Sequence, residues 1–181
     1  MFRPLLEKLA IGLDAAEIPY MVIGGQAVLL YGEPRLTKDI DVTLGVGLDH
    51  LDKVIVLAGD LDLAVLVDPQ KFTRETLVLP CQDRVSGIRV DLILSYSDYE
   101  AQAIGRARLV RIGDADVRFA SVEDLIIHKV VAGRPRDLED VRVVVRKNPK
   151  LDRGYLQRWL AQFSKTLGES LEERFRGATD E

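Results

Sequence analysis

The sequence predicts an α+β fold, a mixed β-sheet flanked by helices and followed by a helical segment. Three observations carry this. Short apolar runs recur at 20–23, 38–44, 61–67, 76–80, 88–94, 108–112 and 117–120, each of strand length and most bounded by Gly, Pro or Asp. Helical periodicity fills several of the gaps between them. After Ala120 the pattern turns helical throughout. The chain is therefore expected to divide into an α/β core, residues 1–120, and a C-terminal helical segment, residues 121–181, packed on it.

In chain order, 2–17 reads as a helix with Leu5, Leu6, Leu9, Leu13 and Ala16 on one face, suited to covering a sheet. Tyr20 to Ile23 is a short buried strand. Gly24-Gly25 breaks it, Gln26 to Tyr31 is a short helix, and Gly32, Pro34 and Arg35 form a loop into a strand from Lys38 to Leu44. A helix from Leu48 to Ala58 carries Asp49 in its first turn, where the helix dipole favours a carboxylate. A strand over 61–67 stops at Asp68-Pro69, and 70–74 forms a helical turn. Strands at 76–80 and 88–94 flank Gln82-Asp83-Arg84-Val85-Ser86-Gly87, a hairpin connection. A helix over 97–106 is capped by Ser97 or Asp98, and Gly113-Asp114-Ala115-Asp116 joins a second hairpin. Ser121 with Asp124 three residues on gives a capping-box-like start to a helix over 122–132, ended by Gly133. Pro135 suits the first turn of the next helix, which runs to Lys147 and stops at Asn148-Pro149. A third, over 152–167, aligns Tyr155, Leu156, Trp159, Leu160 and Phe163, and 169–176 is a short polar helix.

Composition bounds the function. With 181 residues, 47% of them hydrophobic, the chain can bury a real core. A net charge of −4 argues against bulk nucleic-acid binding while leaving room for a local basic patch. The single cysteine, Cys81, excludes an internal disulfide and a multi-cysteine zinc site and fits a reducing, cytoplasmic setting; it reads as a core residue. The first twenty residues are amphipathic and lack the apolar core of a signal peptide, and no run approaches a membrane span. There is no GxxxxGK[ST] loop, and Gly45-Val46-Gly47 lacks the third glycine of a dinucleotide fingerprint.

The chemistry concentrates between Tyr20 and Leu44. On a strand, Asp39 and Asp41 point to one face, roughly 7 Å apart along the backbone, while Ile40 and Val42 point into a core. Adjacent carboxylates repel, and a divalent cation removes that cost; Mg²⁺ (or Mn²⁺) favours one or two carboxylates together with phosphate oxygens. Gly24 and Gly25 let backbone N–H groups approach a triphosphate, and the helix after them offers its positive end. Read blandly, the same residues are a solvated strand face and a tight turn. Asp91, between Val90 and Leu92, joins the pair's face if the two strands are neighbours, and otherwise pairs with Arg89. Arg35 either touches a phosphate or is a solvated loop cation, Lys38 faces solvent, and His50 and His128 find no catalytic partner. The C-terminal helices are locally basic (Arg134, Arg136, Arg142, Arg146, Lys147, Lys150, Arg153, Arg158). They suit an RNA acceptor, or else form an exposed face with Glu139, Asp140 and Asp152 as counter-charges. The missing aromatic residues favour the exposed face.

Gly24-Gly25, Arg35, Thr37 and Asp39-Ile40-Asp41 resemble the signature of the DNA polymerase β-like nucleotidyltransferases, with Arg89-Val90-Asp91-Leu92-Ile93 like the third carboxylate strand of that superfamily. Ser121 to Lys129, then Arg136-Asp137-Leu138-Glu139-Asp140-Val141, is similar to the helical part of the small AbiEii/MenT-type enzymes, toxins of certain toxin–antitoxin pairs. The resemblance runs from about Ile18 to Lys147. It implies a nucleotidyltransferase fold and Mg²⁺-dependent transfer of a nucleotide from an NTP to a hydroxyl on RNA (such as a tRNA end), a protein or a small molecule. It implies Asp39, Asp41 and Asp91 as metal-holding catalytic residues, with Gly24, Gly25, Arg35, Thr37, Lys129 and Asp137 at the nucleotide, and an antitoxin or other partner protein. From the residues alone, Lys129 is equally a snorkelling lysine and Asp137 a first-turn helix acid. Two alternatives stand beside this: a regulatory module that kept the fold but acts only with a partner, and an antibiotic adenylyltransferase.

Overall fold

The computed structural model describes residues 2–95 and 97–179. Its centre is a seven-stranded mixed sheet of β1 (Tyr20–Ile23), β2 (Asp39–Leu44), β3 (Leu63–Val65), β4 (Val78–Asp83), β5 (Arg89–Leu94), β6 (Arg108–Ile112) and β7 (Ala115–Phe119), in the order β3-β4-β5-β2-β1-β7-β6. β2 runs parallel to β5 and antiparallel to β1, and β1 runs parallel to β7. The β3–β4, β4–β5 and β6–β7 pairs are antiparallel. The expected α+β class with a mixed sheet flanked by helices is what forms.

Burial follows the strand period. In β5, Val90, Leu92 and Leu94 are buried while Arg89, Asp91 and Ile93 on the other face are not. Register sets what this means for the carboxylates. Asp41 lies opposite Asp91 and Asp39 opposite Arg89 in the parallel β2–β5 pair, so residues 39, 41, 89 and 91 share one face. On the reverse face Lys8 of α1 (Phe2–Ala15) reaches the buried Asp83 at 2.5 Å, and Leu5, Leu6, Leu9, Ala10 and Leu13 fill the core.

Several boundaries differ from expectation for local reasons. The helix after β1, α2 (Gly24–Tyr31), begins at Gly24 rather than at Gln26, and Gly24 makes the turn out of the strand with φ +62°, which L-residues avoid. Residues 48–50 form a 3₁₀ turn before α3 (Leu51–Asp60), whose inward positions are Leu51, Val54, Leu57 and Ala58. β3 is three residues, not seven. β4 extends through Cys81 and on into Gln82 and Asp83, the start of the expected hairpin connection, because β3 pairs with these three residues from Leu63 to Val65. The expected helical turn grows into α4 (Pro69–Thr76), capped by Asp68, whose side chain accepts from the Gln70 and Lys71 amides.

The C-terminal helices start and stop close to their sequence signals: α5 (Asp98–Gly105) behind Ser97, α6 (Val122–Ala132), α7 (Pro135–Lys147), α8 (Arg153–Leu167) and α9 (Leu171–Thr179). The capping box at Ser121 is half made. The Ser121 hydroxyl accepts from the Asp124 amide at 3.1 Å and donates to Asp124 Oδ2, so the carboxylate reaches the side chain of Ser121 in place of its backbone, while Asp124 Oδ1 accepts from the Tyr155 hydroxyl at 2.6 Å. This ties α6 to α8 through a fully buried acid. Among the described residues no helix is long and apolar enough to cross a membrane.

Candidate active site

The carboxylate face of β2 and β5 opens into a cleft of about 480 Å³ bordered by α2, the 35–38 loop, α6 and α7. All nine residues singled out from the sequence line it: Gly24, Gly25, Arg35, Thr37, Asp39, Asp41, Asp91, Lys129 and Asp137. They come from five separate places in the chain, and the sheet order and the α6–α7 turn bring them together.

The glycines are required by contact. A Cβ on Gly24 would overlap the Asp41 carboxylate, and one on Gly25 would overlap the Thr37 hydroxyl. The N-terminus of α2 therefore lies directly against the acidic strand. Thr37 and Gln26 hold that strand's start: the Thr37 hydroxyl donates to the Asp39 carbonyl at 3.3 Å, and the Gln26 amide reaches the same oxygen at 3.5 Å.

The carboxylates are poorly compensated. Burial, then the charges of Asp39 and Asp91, pushes the Asp41 carboxyl up to about 6, against the pull of Lys129 and Arg134. Asp91 is turned along its own strand, accepting from Arg89 Nε at 2.9 Å. Among the described residues no group of three or more His, Cys, Asp and Glu side chains is arranged to hold a metal ion. With Asp91 drawn toward Arg89, the three acids do not converge as they stand. Their chemistry still fits a hard divalent cation: oxygen donors only, on one sheet face, with one carboxyl strained by unbalanced negative charge.

Opposite them lies a buried ionic cluster. Lys129 Nζ contacts Asp137 Oδ1 at 2.6 Å and Asp140 Oδ2 at 2.9 Å, and Arg35 contacts the same Asp140 oxygen at 3.1 Å. Arg134 closes on Asp137 at 2.5 Å. Burial alone would raise the Asp137 carboxyl, but the hydrogen bonds from Arg134 and Lys129 outweigh it and hold it low. Three expectations are corrected. Lys129 is not a snorkelling surface lysine; it is 7% exposed. Arg35 is not a solvated loop cation: it is ion-paired, and its Nε is buried without a hydrogen-bond partner. Asp140 is not a counter-charge on an exposed helix but a buried acid that joins the loop to α6. Its three-residue spacing from Asp137 places both on one face of α7, a signal already present in the sequence.

Lys38 is exposed as expected and also lines the cleft, and Arg134 and Arg136, assigned to a general basic face, stand at its rim. His128 packs its ring against Tyr99, with centroids 5.7 Å apart, while His50 Nδ1 lies 2.9 Å from Asp49; neither lines the cleft. Cys81 is fully buried.

A family model described as "Nucleotidyltransferase of unknown function (DUF6036)" matches residues 6–175. The chain belongs to this nucleotidyltransferase family. Among proteins with curated descriptions, none matches it in sequence. Solved structures similar to this nucleotidyltransferase include an antigenic nucleotidyltransferase-like protein from Paracoccidioides brasiliensis, at 18% identity and TM-score 0.59, covering 96% of this chain and 91% of that one. The antibiotic-resistance factor ANT(2″)-Ia matches at 17% identity and TM-score 0.63, over 97% of both chains. A lincosamide antibiotic adenylyltransferase solved with lincomycin matches at 17% and 0.50, over 73% of this chain and 89% of that one. At these identities the likeness shows that the nucleotidyltransferase shares their fold.

Proposed function

We propose that the cleft binds a nucleoside triphosphate with Mg²⁺ (or Mn²⁺) and that the enzyme transfers its nucleoside monophosphate to a hydroxyl acceptor. The observation that carries this is the facing of two charge sets across one cleft: Asp39, Asp41 and Asp91 on the sheet, Lys129 and Arg35 on the other wall. Asp39 and Asp41, joined by Asp91, would hold the cation. When bound, the cation supplies charge neutralisation for the triphosphate and the departing pyrophosphate. The chain supplies the rest. Backbone N–H groups at Gly24 and Gly25 and the positive end of α2 receive phosphate oxygens. Lys129 and the Arg35 guanidinium supply further positive charge to the phosphates. Asp91 accepts the acceptor's hydroxyl proton as its oxygen attacks the α-phosphorus and the bond to the β-phosphate oxygen breaks, releasing pyrophosphate. Positioning and electrostatics are most of what such a transfer needs.

The proposed division of the chain follows the same line: residues 1–120 bring the carboxylates and the glycine turn, and 121–181 bring the lysine and its partners. The Lys129–Asp137 contact supports the AbiEii/MenT-type reading, in which the acceptor is RNA and an antitoxin restrains the enzyme in the cytoplasm. A second reading, transfer to a small-molecule hydroxyl, is favoured by the two antibiotic adenylyltransferases among the similar folds. The test is calorimetric titration of each NTP, with and without Mg²⁺, on the wild type and on Asp39→Asn/Asp41→Asn. Mg²⁺-dependent binding lost in the double variant is expected, followed by labelled-nucleotide transfer to RNA or to aminoglycoside and lincosamide acceptors. Absence of NTP binding under all conditions would refute the proposal and leave a partner-dependent regulatory module.

A further inference from the structure

The cleft is unusual in what it lacks. Base discrimination needs donors and acceptors matched to a base edge, and a site built that way rejects a wrong partner by about 10⁴-fold or more. Among the described residues lining the cleft there is no Asn, Gln, Ser, Tyr, Trp, Phe or His. The one neutral hydrogen-bonding side chain is Thr37, and its hydroxyl is already engaged by Asp39. The remaining polar side chains are full charges suited to phosphate and metal.

One apolar side chain stands among them. Leu36 is 74% exposed, an open position for a residue of its size, and it lines the cleft. Its backbone is pinned: Arg136 donates to the Leu36 carbonyl at 3.1 Å. The loop is therefore held while the side chain stays uncovered, next to a planar guanidinium. The only flat, largely apolar part of a nucleotide is its base, and stacking on such a surface is tolerant of base identity because every base has a π-face.

We infer that the enzyme selects its nucleotide by the triphosphate and is nearly blind to the base, which rests on Leu36 beside Arg136. This rests on the nucleotide reading above and adds to it a substrate class, nucleoside triphosphates of any base, and a residue that contributes to affinity without touching phosphate. Burying a few apolar groups of one leucine against a base is worth a factor of about three to ten in affinity.

The experiment is titration of ATP, GTP, CTP, UTP and inorganic tripolyphosphate in Mg²⁺ on the wild type and on Leu36→Ser. The exposed position makes the substitution safe for folding. The four NTPs are expected within about tenfold of one another. Leu36→Ser should weaken each of them by roughly three- to tenfold and leave tripolyphosphate unchanged. One NTP binding 100-fold more tightly than the others would overturn the base-blind reading while leaving the nucleotide site standing. Unchanged NTP affinity in Leu36→Ser would overturn the platform. Failure of the wild type to bind any NTP or tripolyphosphate would overturn this inference together with the function it rests on.

Discussion

Asp140 is the residue whose loss the structure predicts most sharply. Its Oδ2 lies 2.9 Å from Lys129 Nζ and 3.1 Å from Arg35, with Asp140 and Lys129 side chains each 8% exposed. Asp140→Asn keeps the shape and removes the charge. Arg35 then loses its ion-pair partner, while Lys129 keeps Asp137 at 2.6 Å. Breaking a buried pair by removing one partner costs about 3–5 kcal/mol. The retained Asp137 contact and the polar asparagine bring the expectation below that range, to about 2–3 kcal/mol. For a protein of this size each kcal/mol moves the melting temperature by roughly 2–4 °C, so a fall of roughly 5–10 °C is expected in thermal unfolding at low salt. A double-mutant cycle with Arg35→Met should return a coupling of roughly 1–3 kcal/mol, the range for residues sharing a network. A melting temperature within 2 °C of wild type, or additive effects in the cycle, would refute the idea that Asp140 anchors the loop to the helices.

Three further outcomes follow from other parts of the molecule. Gly24→Ala adds a Cβ into the Asp41 carboxylate at a residue with φ +62°; NTP binding and transfer should both collapse, and wild-type transfer would show that the turn does not abut the acid. Asp41→Asn should lower transfer by about two orders of magnitude or more, because it removes an oxygen proposed to hold the metal, without lowering the melting temperature, since the charge it deletes is one that burial and neighbouring acids disfavour. Asp83 supplies the pH dependence. Burial alone would raise its carboxyl, but hydrogen bonds from Lys8 and from the Ser86 hydroxyl and amide outweigh it and hold it at about 2. With the unfolded value near 3.9, this stability is present above about pH 4 and lost as pH falls toward 2, on the order of 2–3 kcal/mol. Urea titrations at pH 7 and pH 2.5 should show an acid-induced loss that is smaller in Lys8→Met, and an equal loss in both proteins would remove Asp83 as its source.

The acidic half of the site was legible in sequence because its elements are local. Asp39 and Asp41 share a face by strand period alone, and the glycines precede them by a short helix and loop. Asp91 needed one non-local fact, that β5 lies beside β2 in parallel with residue 41 opposite 91, which no spacing supplies. The basic half divides differently. Lys129 and Asp137 were found by resemblance, but periodicity could not say whether they were surface or interior, because helix α6 is apolar on nearly all sides. Asp140 was read as solvated since acids on a charged helix usually are; only the packing of α7 toward the 35–38 loop buries it. The β4 extension was missed for a similar reason. Gln82-Asp83 looks like turn chemistry until β3 arrives to pair with it, and a strand of three residues leaves little trace in a sequence.

The two halves also explain why neither reads as a strong electrostatic patch. Around the cleft stand Arg35, Lys38, Lys129, Arg134 and Arg136 against Asp39, Asp41, Asp91 and Asp137, with Asp140 behind. The signs nearly cancel, yet they are partly segregated, with Asp39, Asp41 and Asp91 on the sheet and the cations on the loop and helices, where Asp137 and Asp140 pair with Lys129 and Arg35. An NTP with its cations has the same character: strong local charges with a small sum. Complementarity of this kind fixes orientation more than it drives long-range attraction. On the function proposed above it would align the α-phosphate with the carboxylate strand whatever base is attached, on a chain whose overall charge of −4 would otherwise repel a polyanion. The buried Lys129–Asp140–Arg35 connection is then the element that keeps the cationic wall at a fixed distance from the acidic one, and that distance is what a triphosphate would measure.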